Sequence, residues 1–399
     1  MKHYVIVGNG VAGTTAADRI RSLDREGRIT VFTEEAESFY YRVRLPEVVA
    51  GTAEASQITI HPPDWYENNR VELRLGEAVT GADPAARTVT TTKGDRLKYD
   101  ALLLATGARS FIPPVPGREK EGVLALRTLA DARVIAARAG VVDAAVLIGG
   151  GLLGLEAGYG LTRRGIKVQV VEFFDRLLPR QMDPAGAVKL QKLLEDLGFS
   201  FYLEARAKEI LGGEAAEGLA LEDGRTISGG LVLFSAGIRP NLDLARAMGL
   251  ETDKGVKVDD RMRTSAEGVW AAGDLVEHRG RLYGIWPAAR EQGTAAGTDM
   301  AGGQGVYQGT VMSNSLKVVG VDLTSAGEID PEGKLPSAVY EDERVYRKIV
   351  FADDKIAGYI FLGLTEGVKE CQAALSKGLA AGHLIEDLGR PDFDFSKLR

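Results

Sequence analysis

Near the start of the chain an apolar run, Tyr4-Val5-Ile6-Val7, breaks at Gly8-Asn9-Gly10-Val11-Ala12-Gly13. A short continuous apolar run of this kind predicts a parallel strand buried on both faces. A helical stretch from Thr14 to Leu23 follows, then a second strand, Ile29 to Phe32, ending in Thr33-Glu34-Glu35. The order recurs. Val146-Leu147-Ile148 leads into Gly149-Gly150-Gly151-Leu152-Leu153-Gly154, a helix from Leu155 to Arg164, a strand from Lys167 to Val171, and Glu172.

The tails of the two units also match. Val71 to Leu75, a polar hairpin around Lys93-Gly94-Asp95, and Ala101 to Ala105 lead to Thr106-Gly107-Ala108-Arg109. In the second copy, Phe199 to Leu203, a hairpin around Asp223-Gly224, and Leu231 to Phe234 lead to Ala236-Gly237-Ile238-Arg239-Pro240. Two copies are too few for a solenoid and predict two nucleotide-binding domains of one design. Pro113-Pro114-Val115-Pro116-Gly117 is the predicted hinge, because proline stiffens a crossing segment and cannot continue a helix.

After Pro240 no third unit begins. A strand ends in Ala271-Ala272-Gly273-Asp274, and a helix runs from Ala288 to Met300. From about Thr310 the pattern alternates, predicting strands at Leu316 to Val321, Tyr346 to Phe351 and Ile356 to Leu362. Asp353-Asp354 is a turn, and a closing helix spans Glu366 to Ala381. The expected fold is α/β: two Rossmann-like domains plus a C-terminal α+β domain. The expected bounds are 1–112 with 241–309, 113–240, and 310–399.

Composition narrows the chemistry. Glycine stands at 49 of 399 positions, well above the usual ~7%, as many tight turns and close backbone approaches require. A net charge of −7 argues against a general nucleic-acid binder. One cysteine excludes an intramolecular disulfide, a CxxC pair, an Fe–S cluster and a cysteine-type zinc site, and the four histidines lack metal-ligand spacing. No apolar run is long enough to cross a bilayer, and no leader pattern precedes Tyr4, so a soluble cytoplasmic protein without a membrane partner is expected.

Each glycine of the first fingerprint has a physical task. Gly8 allows the sharp turn, Gly10 has no Cβ to block a pyrophosphate, and Gly13 lets helix and strand approach. Val11 and Ala12 begin the helix whose positive end faces the phosphates. An acid after the second strand, Glu34 with Glu35 as its neighbour, would accept from ribose hydroxyls. Gly149, Gly151, Leu152, Leu153, Gly154, Glu172 and Gly237 repeat this logic for a second nucleotide. A carboxylate at Glu172 suits the free 2′-hydroxyl of NADH and repels the 2′-phosphate of NADPH.

The order of Gly8–Gly13, Ala105-Thr106-Gly107, Gly149–Gly154, Ala236-Gly237 and Ala272-Gly273-Asp274 resembles the FAD-dependent pyridine nucleotide–disulfide oxidoreductase superfamily. The resemblance implies that the first unit binds FAD, the second is an inserted NAD(P)H domain, and the chain then returns to complete the FAD domain. It implies flavin contacts for Arg42, Thr106, Gly107, Gly273, Asp274 and the rim aromatic Trp286. The superfamily's disulfide is missing. At its place stands Phe39-Tyr40-Tyr41-Arg42-Val43-Arg44-Leu45-Pro46-Glu47, and Cys371 falls on an apolar helical stripe with Val368, Leu375 and Leu379.

Tyr41 to Leu45, Gly149 to Ala157 and Leu178 to Asp183 are similar to the NADH:rubredoxin oxidoreductases and to the reductase module of NADH-dependent nitrite reductases. Ser313 to Asp322 is similar to their C-terminal domain. The nitrite reductases' siroheme and Fe–S cluster have no cysteine set here, so only their electron-input half could apply. Glu47 stands where oxygenase-linked ferredoxin reductases have a flavin-facing lysine paired with a glutamate matching Glu156. Two carboxylates would then lie near the flavin, one of them protonated or answered by Arg44.

The resemblance implies hydride transfer from NADH to FAD without a side-chain acid or base. Electrons then pass singly to a small iron protein such as rubredoxin. Glu47, Glu156 and Trp286 are the flavin-proximal candidates, and no metal site is expected. Two rivals remain: an NADH oxidase that reduces oxygen, and an NADH-sensing protein whose association changes with nucleotide. The acceptor and the oligomeric state have no sequence signature.

Overall fold

The computed structural model describes residues 1–318 and 321–398. The predicted strands form because their apolar runs are buried on both faces. His3–Val7 lies at the centre of a five-stranded parallel sheet, between Arg28–Phe32 and Ala101–Leu104, with Val71–Arg74 and Val269–Ala271 at the edges. Tyr4 and Ile6 face Ala12, Ala16 and Ile20 of the following helix. Val5 and Val7 face the opposite way, among Val89, Tyr99 and Leu242.

Ala144–Ile148 occupies the same central place in a second parallel sheet, between Lys167–Val171 and Leu231–Phe234. Both sheets carry a three-stranded antiparallel crossover, Val79–Asp83 with Thr88–Thr91 and Arg96–Lys98, and Ala207–Leu211 with Gly218–Leu221 and Thr226–Ser228. The repeat extends to single bonds. Gly8 N–H donates to Phe32 C=O, and Gly149 N–H donates to Val171 C=O, both at 2.8 Å.

The C-terminal sheet is antiparallel, its five strands running from Ser313–Val318 to Tyr346–Ala352 and Ser337–Glu341 through Val321–Gly327 and Lys355–Leu362. Ile349, Phe351, Tyr359 and Phe361 pack against Cys371 and Ala374 of its helix. The chain divides into two compact units. One comprises Met1–Tyr41, Ala55–Arg109 and Ile238–Thr310; the other comprises Arg42–Glu54, Ser110–Gly237 and Val311–Arg399.

Within the second unit, Asp183 caps the helix Pro184–Glu195 by accepting from Gly186 N–H. The same carboxylate accepts from Tyr346 Oη at 2.6 Å and pairs with Lys348 Nζ at 3.1 Å. This buried cluster ties the C-terminal sheet to that helix. Removing either charged member, Asp183 or Lys348, costs about 3–5 kcal/mol, because the remaining charge stays buried.

Several expected boundaries move. The helices begin at Val11, Leu152 and Trp286 rather than at Thr14, Leu155 and Ala288. The last residues of each glycine loop already form the first turn, and Pro287 fits a first turn because its missing N–H has no partner there anyway. The expected strand Leu316 to Val321 is instead the meeting of two antiparallel strands, with Val318 opposite Val321. Val319 and Gly320, in the run likened to the C-terminal domain, lie outside the described residues. The closing helix is Val368–Lys377, stopped by Gly378 in the left-handed region at φ 63°.

Candidate functional site

The first glycine loop sits where the strand order reverses, at the carboxyl end of the central strand, which is the ligand position of open α/β sheets. A Cβ on Gly8 would lie 2.1 Å from Ala105 O, and one on Gly13 would lie 2.0 Å from Gly8 O, so neither position admits a side chain. A Cβ on Gly10 would meet nothing within 4 Å. Gly10 is the N-cap of the Val11–Leu23 helix; no side chain caps it and no acid stands in the first turn. That helix end has no side-chain cap and the space over Gly10 is open, which fits the pyrophosphate of a dinucleotide.

Tertiary folding brings the later motifs to this loop. Thr106 and Gly107 follow the strand beside His3–Val7, and Asn241 clasps both, donating from Nδ2 to Thr106 C=O at 2.8 Å and from its N–H to Gly107 C=O at 3.0 Å. A Cβ on Gly273 would lie 3.1 Å from Ala12 Cβ, so the Gly273-Asp274 turn closes on the helix start. Buried Gln292 accepts the Gly273 N–H at 2.8 Å. The helix Trp286–Met300 comes this close because Gly293 and Gly297 lie against Ala12 and Ala16.

Of the two acids after the second strand, Glu35 accepts from Tyr40 Oη at 2.5 Å, whereas Glu34 is exposed. Trp286 is half-buried, stacked on Phe39 at 5.7 Å and tilted against Tyr41 at 4.6 Å. The array continues from Phe39 to His61 and from His61 to Trp65, whose rings stack at 3.9 Å.

The second loop repeats the first with different neighbours. A Cβ on Gly149 would lie 2.5 Å from Ser235 O, and one on Gly154 would lie 2.5 Å from Ser235 Oγ. Gly151 caps the Leu152–Thr162 helix without a side-chain bond, and Leu152 and Leu153 form its first turn. Glu172 is buried; its Oε2 accepts Gly150 N–H at 2.6 Å and its Oε1 accepts Phe174 N–H at 3.0 Å. Each carboxylate oxygen keeps a lone pair for a ribose hydroxyl. Gly237, at φ 88°, accepts Phe111 N–H at its carbonyl. This loop fits a second dinucleotide.

The thiol-free segment is divided: Phe39 to Tyr41 belong to the unit of the first loop, and Arg42 to Glu47 to the unit of the second. Arg42 is half-buried and donates to Arg127 C=O at 3.0 Å. Arg44 forks the Glu47 carboxylate, with Nε to Oε1 at 2.8 Å and Nη2 to Oε2 at 2.6 Å, so Glu47 is answered by Arg44. The helix Leu45–Ala50 packs on the helix that carries Glu156, where a Cβ on Gly160 would lie 2.8 Å from Pro46 O.

Cys371 is fully buried, and burial pushes its thiol up to about 12. A thiol held protonated and away from solvent is a packing residue, not a redox nucleophile.

Comparison with known proteins agrees. Residues 2–293 match the family described as pyridine nucleotide-disulphide oxidoreductase. The chain belongs to that family. FAD and NAD(H) are the cofactors of these oxidoreductases. Residues 313–379 match the rubredoxin NAD+ reductase C-terminal domain.

The chain is 38% identical over 367 residues to a nitrite reductase [NAD(P)H] of Bacillus subtilis, covering 91% of this chain and 46% of that protein. The first curated relatives it matches are about twice its length. It is 30% identical to the NADH-rubredoxin oxidoreductase of Clostridium acetobutylicum, covering 87% of this chain and 86% of that one. The crystal structure of NADH:rubredoxin oxidoreductase from the same organism aligns with a TM-score of 0.78 at 26% identity, over 95% of this chain and 96% of that one.

Among the described residues no group of His, Cys, Asp and Glu could hold a metal, and no helix is long and apolar enough to cross a membrane. The sequence reading missed Asn241, Ser235 and Gln292. Only their partners' motifs are local, so nothing in the linear pattern marked them.

Proposed function

We propose that this family member is a cytoplasmic NADH-dependent FAD reductase that passes electrons to a small iron protein such as rubredoxin, without a redox-active cysteine. The observation that carries this reading is the pair of glycine cradles in a chain whose one thiol, Cys371, is sealed in the C-terminal core. Bound FAD would accept a hydride from NADH and release its electrons one at a time.

The protein's part is to hold and orient. Gly8, Gly10, Gly13, Val11 and Ala12 would hold the FAD pyrophosphate, Glu34 its ribose, and Thr106, Gly107, Gly273 and Asp274 its remaining polar edge. Gly149, Gly151, Gly154, Leu152 and Leu153 would hold the nicotinamide dinucleotide, with Glu172 at its ribose selecting NADH over NADPH. Residues 1–112 with 241–309 would form the FAD domain, 113–240 the NAD(H) domain and 310–399 the C-terminal domain. No side chain is assigned as an acid or base, since hydride transfer needs alignment rather than proton movement. Arg42, Glu47, Glu156 and Trp286 are assigned to the flavin's surroundings.

Similarity to the nitrite reductase supports a second reading, in which the chain is the electron-input part of a larger reducing system. Anaerobic stopped-flow mixing of the NADH-reduced, FAD-loaded protein separates the readings. Reoxidation by rubredoxin orders of magnitude faster than by air-saturated buffer supports the reductase. Equal or slower reoxidation by rubredoxin overturns that acceptor.

A further inference from the structure

Asn9 lies between Gly8 and Gly10, immediately before the N-cap of the first helix, and is 8% exposed. Its Oδ1 accepts from Tyr66 Oη at 2.9 Å, while its Nδ2 is buried with no hydrogen-bond partner. Tyr66 Oη in turn accepts the Phe39 N–H at 3.2 Å. Burial raises the Tyr66 phenol above its ordinary range, so it keeps its proton.

This chain of bonds has one polarity. The Phe39 N–H occupies a lone pair of the Tyr66 oxygen, so the hydroxyl proton is directed to Asn9. Turning the amide over would leave that proton and the Asn9 oxygen both without partners in a buried place. Tyr66 thus holds the amide with its two N–H bonds unspent. An orphaned buried donor costs free energy, and here it stands beside a helix end that is itself uncapped and open.

We propose that Asn9 Nδ2 donates to an anionic oxygen of the dinucleotide held at the first glycine loop, and that Tyr66 is the positioning residue that keeps Asn9 in its donating orientation. The inference rests on the FAD reading of that loop and extends it to two residues outside the glycine fingerprint. It also gives the residue between the first two glycines a chemical role that the spacing alone leaves blank. An aspartate there would offer an acceptor and a negative charge to the same anion.

The test is titration of the apoprotein with FAD, followed by quenching of flavin fluorescence, for wild type, Asn9→Asp, Asn9→Ser and Tyr66→Phe. The melting temperature of each apoprotein is recorded alongside. Asn9→Asp is expected to weaken FAD binding by about a hundredfold, and Asn9→Ser and Tyr66→Phe by about three- to tenfold. For both Asn9 variants the loss in affinity is expected to exceed anything their apoprotein melting temperatures explain. If all three variants bind FAD within threefold of wild type, the proposed bond is overturned while the FAD reading stands. Failure of the wild type to take up FAD overturns both. Should Asn9→Asp not fold, Asn9→Ser and Tyr66→Phe decide the matter.

Discussion

Glu172 Oε2 accepts the backbone N–H of Gly150 at 2.6 Å, so the acid that ends one strand clamps the glycine loop that follows its neighbour. The carboxylate shapes the loop, and in the proposed function it also meets a ribose. Glu172→Ala leaves the Gly150 and Phe174 N–H groups without this acceptor, at about 1–3 kcal/mol for each that stays buried. The expected result is a KM for NADH raised about tenfold or more with kcat less affected, and a smaller preference over NADPH. Steady-state kinetics with both nucleotides and ferricyanide check this.

Gly10 and Gly13 are two members of one motif with different physical roles. Gly10 has φ −91° and ψ −165°, which alanine can adopt, and its Cβ would enter open space. Gly10→Ala is therefore expected to leave the apoprotein's melting temperature nearly unchanged while weakening FAD binding about tenfold or more. Gly13→Ala drives a Cβ into Gly8 O and is expected to lower the melting temperature itself. Scanning calorimetry with FAD titration distinguishes the two.

The Arg44–Glu47 pair is about two-fifths exposed, and such pairs contribute roughly 0–1 kcal/mol. Glu47→Lys places two cations together and should cost little stability. If Glu47 lies beside the flavin, the same change raises the flavin midpoint potential, because a positive charge favours the reduced, more anionic ring. Redox titration reads the shift; an unchanged potential removes Glu47 from the flavin's surroundings.

Cys371 has its thiol pushed up to about 12 from an ordinary value of 9.0. The sign follows from linkage. A neutral acid whose folded value is raised contributes stability below about pH 9, and that contribution is lost as pH rises toward 12. Cys371→Ala is expected to flatten this alkaline loss and to leave NADH turnover intact, at a packing cost of about 1 kcal/mol. Iodoacetamide should label the native protein far more slowly than the unfolded one.

Much of this protein was legible in its linear pattern. The apolar runs at Tyr4–Val7 and Val146–Ile148, the glycines after them and the acids at the end of the next strand are local signals. Gly8, Gly13 and Gly149 answer backbone contacts a few residues away or on the adjoining strand, as Gly13 against Gly8 shows. The buried face of Cys371 was likewise fixed by helical spacing alone.

Tertiary structure decided what depends on distant partners. Nothing near Asn9 in the chain announces Tyr66, fifty-seven positions on, yet that phenol sets which way the amide faces. Asn241 reaches Thr106 across 135 positions, and Gln292 reaches the Gly273 turn from inside a helix. The sequence puts Glu34 first with Glu35 as its neighbour, and only the fold shows that Tyr40 donates to Glu35. Periodicity reports which face of an element is buried, whereas hydrogen-bond direction is set only when particular atoms come within about 3 Å.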